Sequence, residues 1–282
     1  MHNARCKIGS NCALCIVHCA FYIHMYILIT NDDGYQSPGL VALRRALAPL
    51  GEVAVVAPDR NWSAAGHYRK LFDPMRAWEG TLIDGSPATL CDGTPADCVA
   101  LALMGLLPRK PDLVVSGINL GANLGSDLLY SGTVAAAMEG MIFGLPAIAV
   151  SQNNGHRGPQ DFRAAEVAVA QIVDGVRKNG LPEGVLLNVN VPALPPEDVR
   201  GIQIARLGQR TYRDELIVRH DPRGRPYYWI GGAEPEDLRE DGTDVAAIAA
   251  GYVSVTPVHM DLTSHRWLDE LRGWGLASLP FT

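Results

Sequence analysis

The alternation that begins at Met25 limits the architectures open to this chain. "YILIT" (26–30), "EVAVVAP" (52–58), "DLVVSG" (112–117), "PAIAVS" (146–151) and "GVLLNVNVP" (184–192) are short runs that are apolar at most positions. Between them stand "PGLVALRRALAPL" (38–50), "TPADCVALALMGLL" (94–107), "SGTVAAAMEGMIFG" (131–144) and "DFRAAEVAVAQIVDGVRK" (161–178), which read as helices. Continuous apolar strands separated by helices imply a parallel sheet covered on both faces. The pattern predicts an α/β fold of three layers, α/β/α and Rossmann-like, around a mostly parallel sheet. Pro38 and Pro95 suit the first turns of their helices, with Thr94 as N-cap of the second. After about residue 200 the character changes. "GIQIARLG", "PYYWIGG" and "GYVSVTPV" are strand-like and joined by turns such as "DPRGRP". Residues 200–262 thus predict an extended β-rich appendage, with a closing helix near "DLTSHRWLDELRGW".

The composition narrows the function classes. A chain of 282 residues with 48% hydrophobic and 19% charged residues can bury a sizeable core. Its net charge is −6 and it has no basic block, which argues against a nucleic-acid polymer as partner. No apolar run reaches the ~18 residues of a membrane span. Small phosphorylated ligands, which need only a local site, are compatible with both facts.

Four of the six cysteines, Cys6, Cys12, Cys15 and Cys19, fall within the first 19 residues. With His18 and His24 nearby, Cys12, Cys15 and Cys19 could form a metal knuckle, but turn glycines and a second ligand pair are missing. Nor does a clean small-x-small cleavage site follow the apolar stretch, as a signal peptide would require. Residues 1–24 are therefore expected to be a disordered, non-native extension preceding a start at Met25, and 25–282 a single domain.

In an open parallel sheet, ligands bind beyond the carboxyl ends of the strands. Three such ends carry polar clusters: "TNDDG" after the first strand, "APDRNWSAAGH" after the second, and "SGINLGANLGSDLLYSGT" after "DLVV". Asp32 and Asp33 are adjacent like charges that converge only if the backbone turns, which Gly34 permits. Two converging carboxylates raise each other's pKa unless a cation lies between them. Ser63 and Asn119 are the neutral oxygen donors that would complete such a site, although each could also serve a turn. An all-oxygen set suits Mg²⁺ or Mn²⁺ better than zinc. Ser131, Gly132 and Thr133 stand at a helix start, where free N–H groups favour a phosphate or simply a cap. The glycines at 117, 121 and 125 do not form G-x-G-x-x-G, and a Walker motif, D-x-D-x-[TV] and G-x-S-x-G are all absent. His67 is the best-placed histidine for a base because it follows Ser63.

These clusters together resemble the SurE family, survival protein E. The matching pieces are "ILITNDDGYQSPG", "VVAPDRNWSAAGH", "CDGTPADCV", "PDLVVSGINLGANLGSDLLYSGTVAAAMEG", "LLNVNVP", "DPRGRPYYWIG" and "GTDVAAIAAGYVSVTPVHMDLT", running from Met25 to about Thr263. The resemblance implies one divalent metal per subunit, held by Asp32, Asp33, Ser63 and Asn119. It implies a phosphomonoesterase acting on nucleoside 5′- and 3′-monophosphates, and often on short polyphosphate, with Asp32 and Asp33 catalytic. Phosphate is expected against Asn119, Ser131, Gly132 and Thr133. A cytoplasmic homodimer or homotetramer that exchanges C-terminal β elements is also implied. An exopolyphosphatase with incidental nucleotidase activity and a nucleotide sensor without turnover are the rival readings. The chain departs from the family pattern after "SAAGH", where Tyr68, Arg69 and Lys70 replace small or hydroxylated residues.

Overall fold

The computed structural model of the chain describes residues 24–153, 160–232 and 236–276. Its elements are β1 (Met25–Thr30), α1 (Pro38–Leu47), β2 (Gly51–Pro58), β3 (Ala77–Thr81), β4 (Pro87–Cys91), α2 (Pro95–Leu101), β5 (Leu113–Leu120), α3 (Gly132–Ile142), β6 (Ala147–Asn153), α4 (Arg163–Asn179) and β7 (Val185–Pro192). There follow β8 (Ile202–Ile204), β9 (Gln209–Thr211), β10 (Asp214–His220), β11 (Pro226–Gly232), β12 (Glu236–Leu238), α5 (Asp244–Ala249), β13 (Val253–His259) and α6 (His265–Gly273). A nine-stranded sheet runs β3-β4-β2-β1-β5-β6-β7-β13-β8. Within it β4, β2, β1, β5, β6 and β7 are parallel, while β3 against β4 and β13 against β7 are antiparallel.

The two sheet faces are buried by different helices, as strands apolar on both sides require. Ile27, Ile29, Val115, Ile148, Val150 and Val189 pack with Leu40 and Leu43 of α1 and Val169 and Val173 of α4. On the other face Leu28, Val114, Ala147 and Leu186 pack with Cys98 and Val99 of α2 and Val134 and Ala137 of α3. This is the expected three-layer α/β/α arrangement. From β1 the chain proceeds through β2 to β4 on one side, then returns to place β5, β6 and β7 on the other. The order therefore reverses between β1 and β5, and a crevice opens there at the carboxyl ends.

Local chemistry accounts for the helix starts. Ser37, Thr94, Ser131 and Thr243 each cap a helix by accepting a backbone N–H. Thr94 and Asp97 form a reciprocal capping box. The run 94–107 reads as one helix in sequence, but α2 ends at Leu101 and the backbone widens into a π-type turn over Ala102–Leu106, where Gly105 has φ 132°.

The C-terminal stretch divides between two environments. β13 lies inside the main sheet between β7 and β8, buried through Val253, Val255 and Val258. The β10–β11 hairpin forms a separate two-stranded ribbon that exposes Leu216, Tyr228, Trp229 and Ile230. Residues 1–23, on which the expected N-terminal extension falls, lie outside the described residues.

One buried carboxylate ties the base of the ribbon to the centre of the fold. Asp244 is fully buried, and its Oδ1 accepts from Gly208 N at 2.7 Å while Oδ2 accepts from Gly125 N at 2.9 Å. Replacing Asp244 by Ala strands both N–H groups, each costing ~1–3 kcal/mol. Asp244→Ala is expected to lower unfolding free energy by about 2–4 kcal/mol, read as a fall in the urea midpoint with an unchanged slope.

Candidate active site

Asp32 sits where β1 runs out at the strand-order reversal. The turn that carries it is closed by Asn31 Nδ2 donating to Gly34 O at 3.0 Å. Gly34 has φ +93°, and a Cβ there would lie 2.9 Å from the Arg60 carbonyl carbon, so the tight turn requires glycine. Trp62 N donates to Asp32 O at 2.8 Å, and Tyr35 N to Pro58 O at 2.9 Å. The loop after β2, which carries Ser63, is thereby tied to the end of β1.

The Asp32 carboxylate is 4% exposed and lies under the first turn of α3. Thr133 Oγ1 donates to its Oδ1 at 2.5 Å, and the Gly132 and Thr133 N–H groups act on it as well. Burial pushes this carboxyl above the usual carboxylate range, with the hydrogen bonds opposing that shift. A Cβ on Gly132 would lie 2.8 Å from Asp32 Cβ, so the helix approaches this closely only because residue 132 is glycine. Asp33 diverges toward β5, its Oδ2 accepting from Leu120 N at 3.3 Å. The two carboxylates thus brace different walls of one crevice.

Asn119, near the end of β5, donates from Nδ2 to Gly121 O at 2.8 Å, which leaves the amide oxygen as its acceptor end. Ser63 is exposed, and its N–H donates to Asn61 Oδ1 at 2.7 Å, an Asx-type turn. Ser131 Oγ accepts from Val134 N at 3.1 Å as the α3 N-cap. The positive end of α3 is therefore already occupied by Asp32, and Ser131 and Thr133 both have structural partners. The loop after β2 also reaches this helix start through Gly66 N donating to Tyr130 O at 3.0 Å.

The strand register sets Asp32 and Asn119 at the same edge of the sheet. On the α3 side of the sheet, Leu28, Val114, Ala147, Leu186 and Val258 are paired across β1, β5, β6, β7 and β13 as one apolar row. Two residues nearer the carboxyl edge the row reads Thr30, Ser116, Ala149, Asn188 and Thr256. Asn119, Ser151, Asn190 and Ser254 follow, level with the turn that holds Asp32. Polarity rises toward the crevice.

Two arrangements escaped sequence reasoning. Asn123 N donates to Asn190 Oδ1 at 2.8 Å, its Nδ2 donates to Ser151 Oγ at 2.7 Å, and its carbonyl accepts from Asn188 and Asn190. This seats the loop after β5 on the sheet; the signal was asparagine at period two in "LLNVNVP". The second is a buried ion cluster. Glu139 of α3 is 3% exposed and is held by His67 Nε2 at 2.9 Å and by Arg69, which also donates to the fully buried Asp97 at 3.0 Å. The residues of the "YRK" departure thus serve a structural pairing, and His67 is engaged by a carboxylate. A lone glutamate inside an apolar helix was the available clue.

A divalent cation suits this donor set. Two carboxylates neutralise its charge, and a hydroxyl and an amide oxygen are hard neutral donors. Asp32 is buried, and the groups that hydrogen-bond to it are uncharged donors. Among the described residues no group of three or more His, Cys, Asp and Glu could hold a metal.

Comparison with known proteins agrees with the motifs. The family model described as survival protein SurE matches residues 27–214. The chain is 74% identical over 250 residues to the 5′-nucleotidase SurE of Chloroflexus aggregans, covering 89% of this chain and 99% of that protein. It is 56% identical over 247 residues to the 5′-nucleotidase SurE of Herpetosiphon aurantiacus, covering 88% and 97%. Among solved structures, the SurE protein from Aquifex aeolicus superposes with a TM-score of 0.76 at 44% identity, covering 89% and 99% of the two chains. With its strand ends, crevice and near-complete overlap with these proteins, the chain belongs to the survival protein SurE family.

Proposed function

We propose that this chain hydrolyses nucleoside 5′-monophosphates, and 3′-monophosphates as well, to nucleoside and phosphate with the help of a divalent cation. The observation that carries the reading is 74% identity, over nearly its full length, to a protein named 5′-nucleotidase SurE. The placement of Asp32 and Asp33 on two walls of one crevice at the strand-order reversal supports it. Asp32, Asp33, Ser63 and Asn119 would hold one Mg²⁺ or Mn²⁺ per subunit. Such an ion supplies charge neutralisation at the phosphoryl oxygens and a water nucleophile near neutral pH.

The chain's own residues perform the rest. Thr133 and the N–H groups of α3 hold Asp32 in one orientation, so it need not reorganise when substrate arrives. Leu120 N does the same for Asp33. Gly132 lets the first turn of α3 close on Asp32, and phosphate would lie beside the Ser131–Thr133 turn and the Asn119 side chain. We assign the protein to the cytoplasm on the strength of its family; no described helix is long and apolar enough to cross a membrane. A homodimer or homotetramer is supported by exposed apolar side chains on β10–β11, including Trp229 at 63% and Ile230 at 83%, and by Trp267 and Leu268 on α6.

Phosphate release from AMP, from 3′-AMP and from short polyphosphate tests the activity across Mg²⁺ and Mn²⁺. Release from AMP that ceases with EDTA and returns with added metal is expected. Binding of AMP without release would instead identify a sensor, and a strong preference for polyphosphate would displace the nucleotidase reading. Asp32→Asn should slow turnover by roughly 10²–10³-fold, an interaction worth ~3–4 kcal/mol in the transition state, and calorimetry should show weaker metal binding with the fold retained.

Gly132→Val drives a branched side chain against Asp32. Metal affinity and turnover should fall together, and calorimetry that finds native affinity would separate the helix start from the metal site. For assembly, Trp229→Glu combined with Ile230→Asp should shift light-scattering mass toward the monomer. A native protein that is monomeric and active at micromolar concentration would remove the oligomer from this reading.

A further inference from the structure

The second polar row on the α3 face of the sheet carries groups that neither the fold nor the site uses. Thr30 Oγ1, Ser116 Oγ, Asn188 Oδ1 and Thr256 Oγ1 are buried and have no hydrogen-bond partner among the described residues. Ser254 Oγ, beside Asn190 in the next row, is in the same state. These five residues are between 0% and 2% exposed. A buried polar atom left alone loses its hydration with nothing in exchange, and a chain of this size does not sustain a contiguous set of them unpaired.

Their placement is regular. Thr30 pairs with Ser116 across β1 and β5, and Asn188 with Thr256 across β7 and β13. Ala149 stands between Ser116 and Asn188 in register and fills its position with only a methyl group. Neither pair is joined by a direct hydrogen bond, and one bridging oxygen between its members would satisfy both. Above this face lies α3, which packs closely on the apolar row at Gly140, where a Cβ would meet Val114 at 2.8 Å.

We propose that this row binds internal water molecules: one bridging Thr30 and Ser116, a second bridging Asn188 and Thr256, and a third on Ser254. The chemistry selects water over other occupants. Every atom in the set is a neutral oxygen, so no counter-charge is present for an anion or a divalent cation. Asn188 already spends its Nδ2 on Asn123 O at 2.9 Å, so its Oδ1 can only accept, whereas the hydroxyls can donate or accept. A small molecule that both donates and accepts, and that takes two to four polar partners, satisfies all of them. The row ends at Thr30, two residues before Asp32 on the same face, so the hydrated seam passes beneath the α3 turn that holds the carboxylate. The inference stands on burial and register and does not depend on the enzymatic reading.

The test is a high-resolution crystal structure of the full chain, paired with the near-isosteric variants Thr30→Val and Thr256→Val. Density within hydrogen-bond reach of both Thr30 and Ser116, and of both Asn188 and Thr256, is expected in the native protein. Each variant should lose its own water and melt roughly 2–4 °C lower, as loss of about 1 kcal/mol does in a chain of this size. A dry row in the native crystal, with the hydroxyls turned onto neighbouring carbonyl oxygens, overturns the proposal even if neither variant folds. So does a Thr256→Val protein that melts higher than the native one, since deleting a hydroxyl that truly lacks a partner is stabilising.

Discussion

A carboxylate buried beneath the start of a helix is the constraint on which the crevice depends. Asp32 has lost nearly all contact with solvent, and what offsets that loss is the first turn of α3: two backbone N–H groups and the Thr133 hydroxyl. The arrangement dictates the residues around it. Residue 132 must lack a side chain for the helix to come near. The following residue must offer a hydroxyl pointing back. The helix must begin with a cap, Ser131, that turns the chain sharply enough to present the N–H groups. With α3 fixed in this way, Gly66 and Trp62 fasten the loop after β2 to the same place.

The strand order places this construction at the boundary of two half-sheets. Loops from β1 and β5 diverge there, and their ends would splay without cross-bracing. Asp33 supplies one brace by accepting from Leu120 N, and Asn123 supplies another by settling on Ser151 and Asn190. Asp244 adds a third by holding Gly125 and Gly208 at once. The braces join side-chain polar groups to backbone N–H groups at strand ends and in loops, which is how irregular chain can be buried without stranding its polar atoms.

Sequence made the layers and the three polar strand ends legible, because both follow from local periodicity and from the rule that ligands gather at carboxyl ends. It also singled out Asp32, Asp33, Ser63, Asn119 and the 131–133 turn, which the fold brings to one region. It did not show that α3 serves Asp32, since nothing in spacing tells which anion a helix start faces. The Arg69–Glu139–Asp97 cluster pairs residues 28 and 70 positions apart and is invisible to any window. β3 and β4 pass without notice because β3 is an edge strand that is mostly exposed, so its residues carry little apolar pattern. "GYVSVTPV" looked like part of an appendage for the opposite reason. Its apolar residues are those of an inner strand, but membership of the main sheet comes from pairing with β7, which lies 60 residues earlier in the chain and more.

The graded rows on the α3 face have a consequence for how the strands find one another. A parallel strand that slips by two residues keeps the same side chains inward, so hydrophobic alternation alone does not reject the error. Here such a slip would set Thr30 beside Val114, or Asn188 beside Ala147, pressing a polar group into the apolar layer. The step from Leu28 to Thr30 to Asp32, repeated as Val114 to Ser116 and Leu186 to Asn188 to Asn190, therefore works as a ruler along the strands. Mispaired sheets are penalised at several rungs at once, and the crevice that gathers the carboxylates doubles as a zero mark from which the alignment of five strands is read.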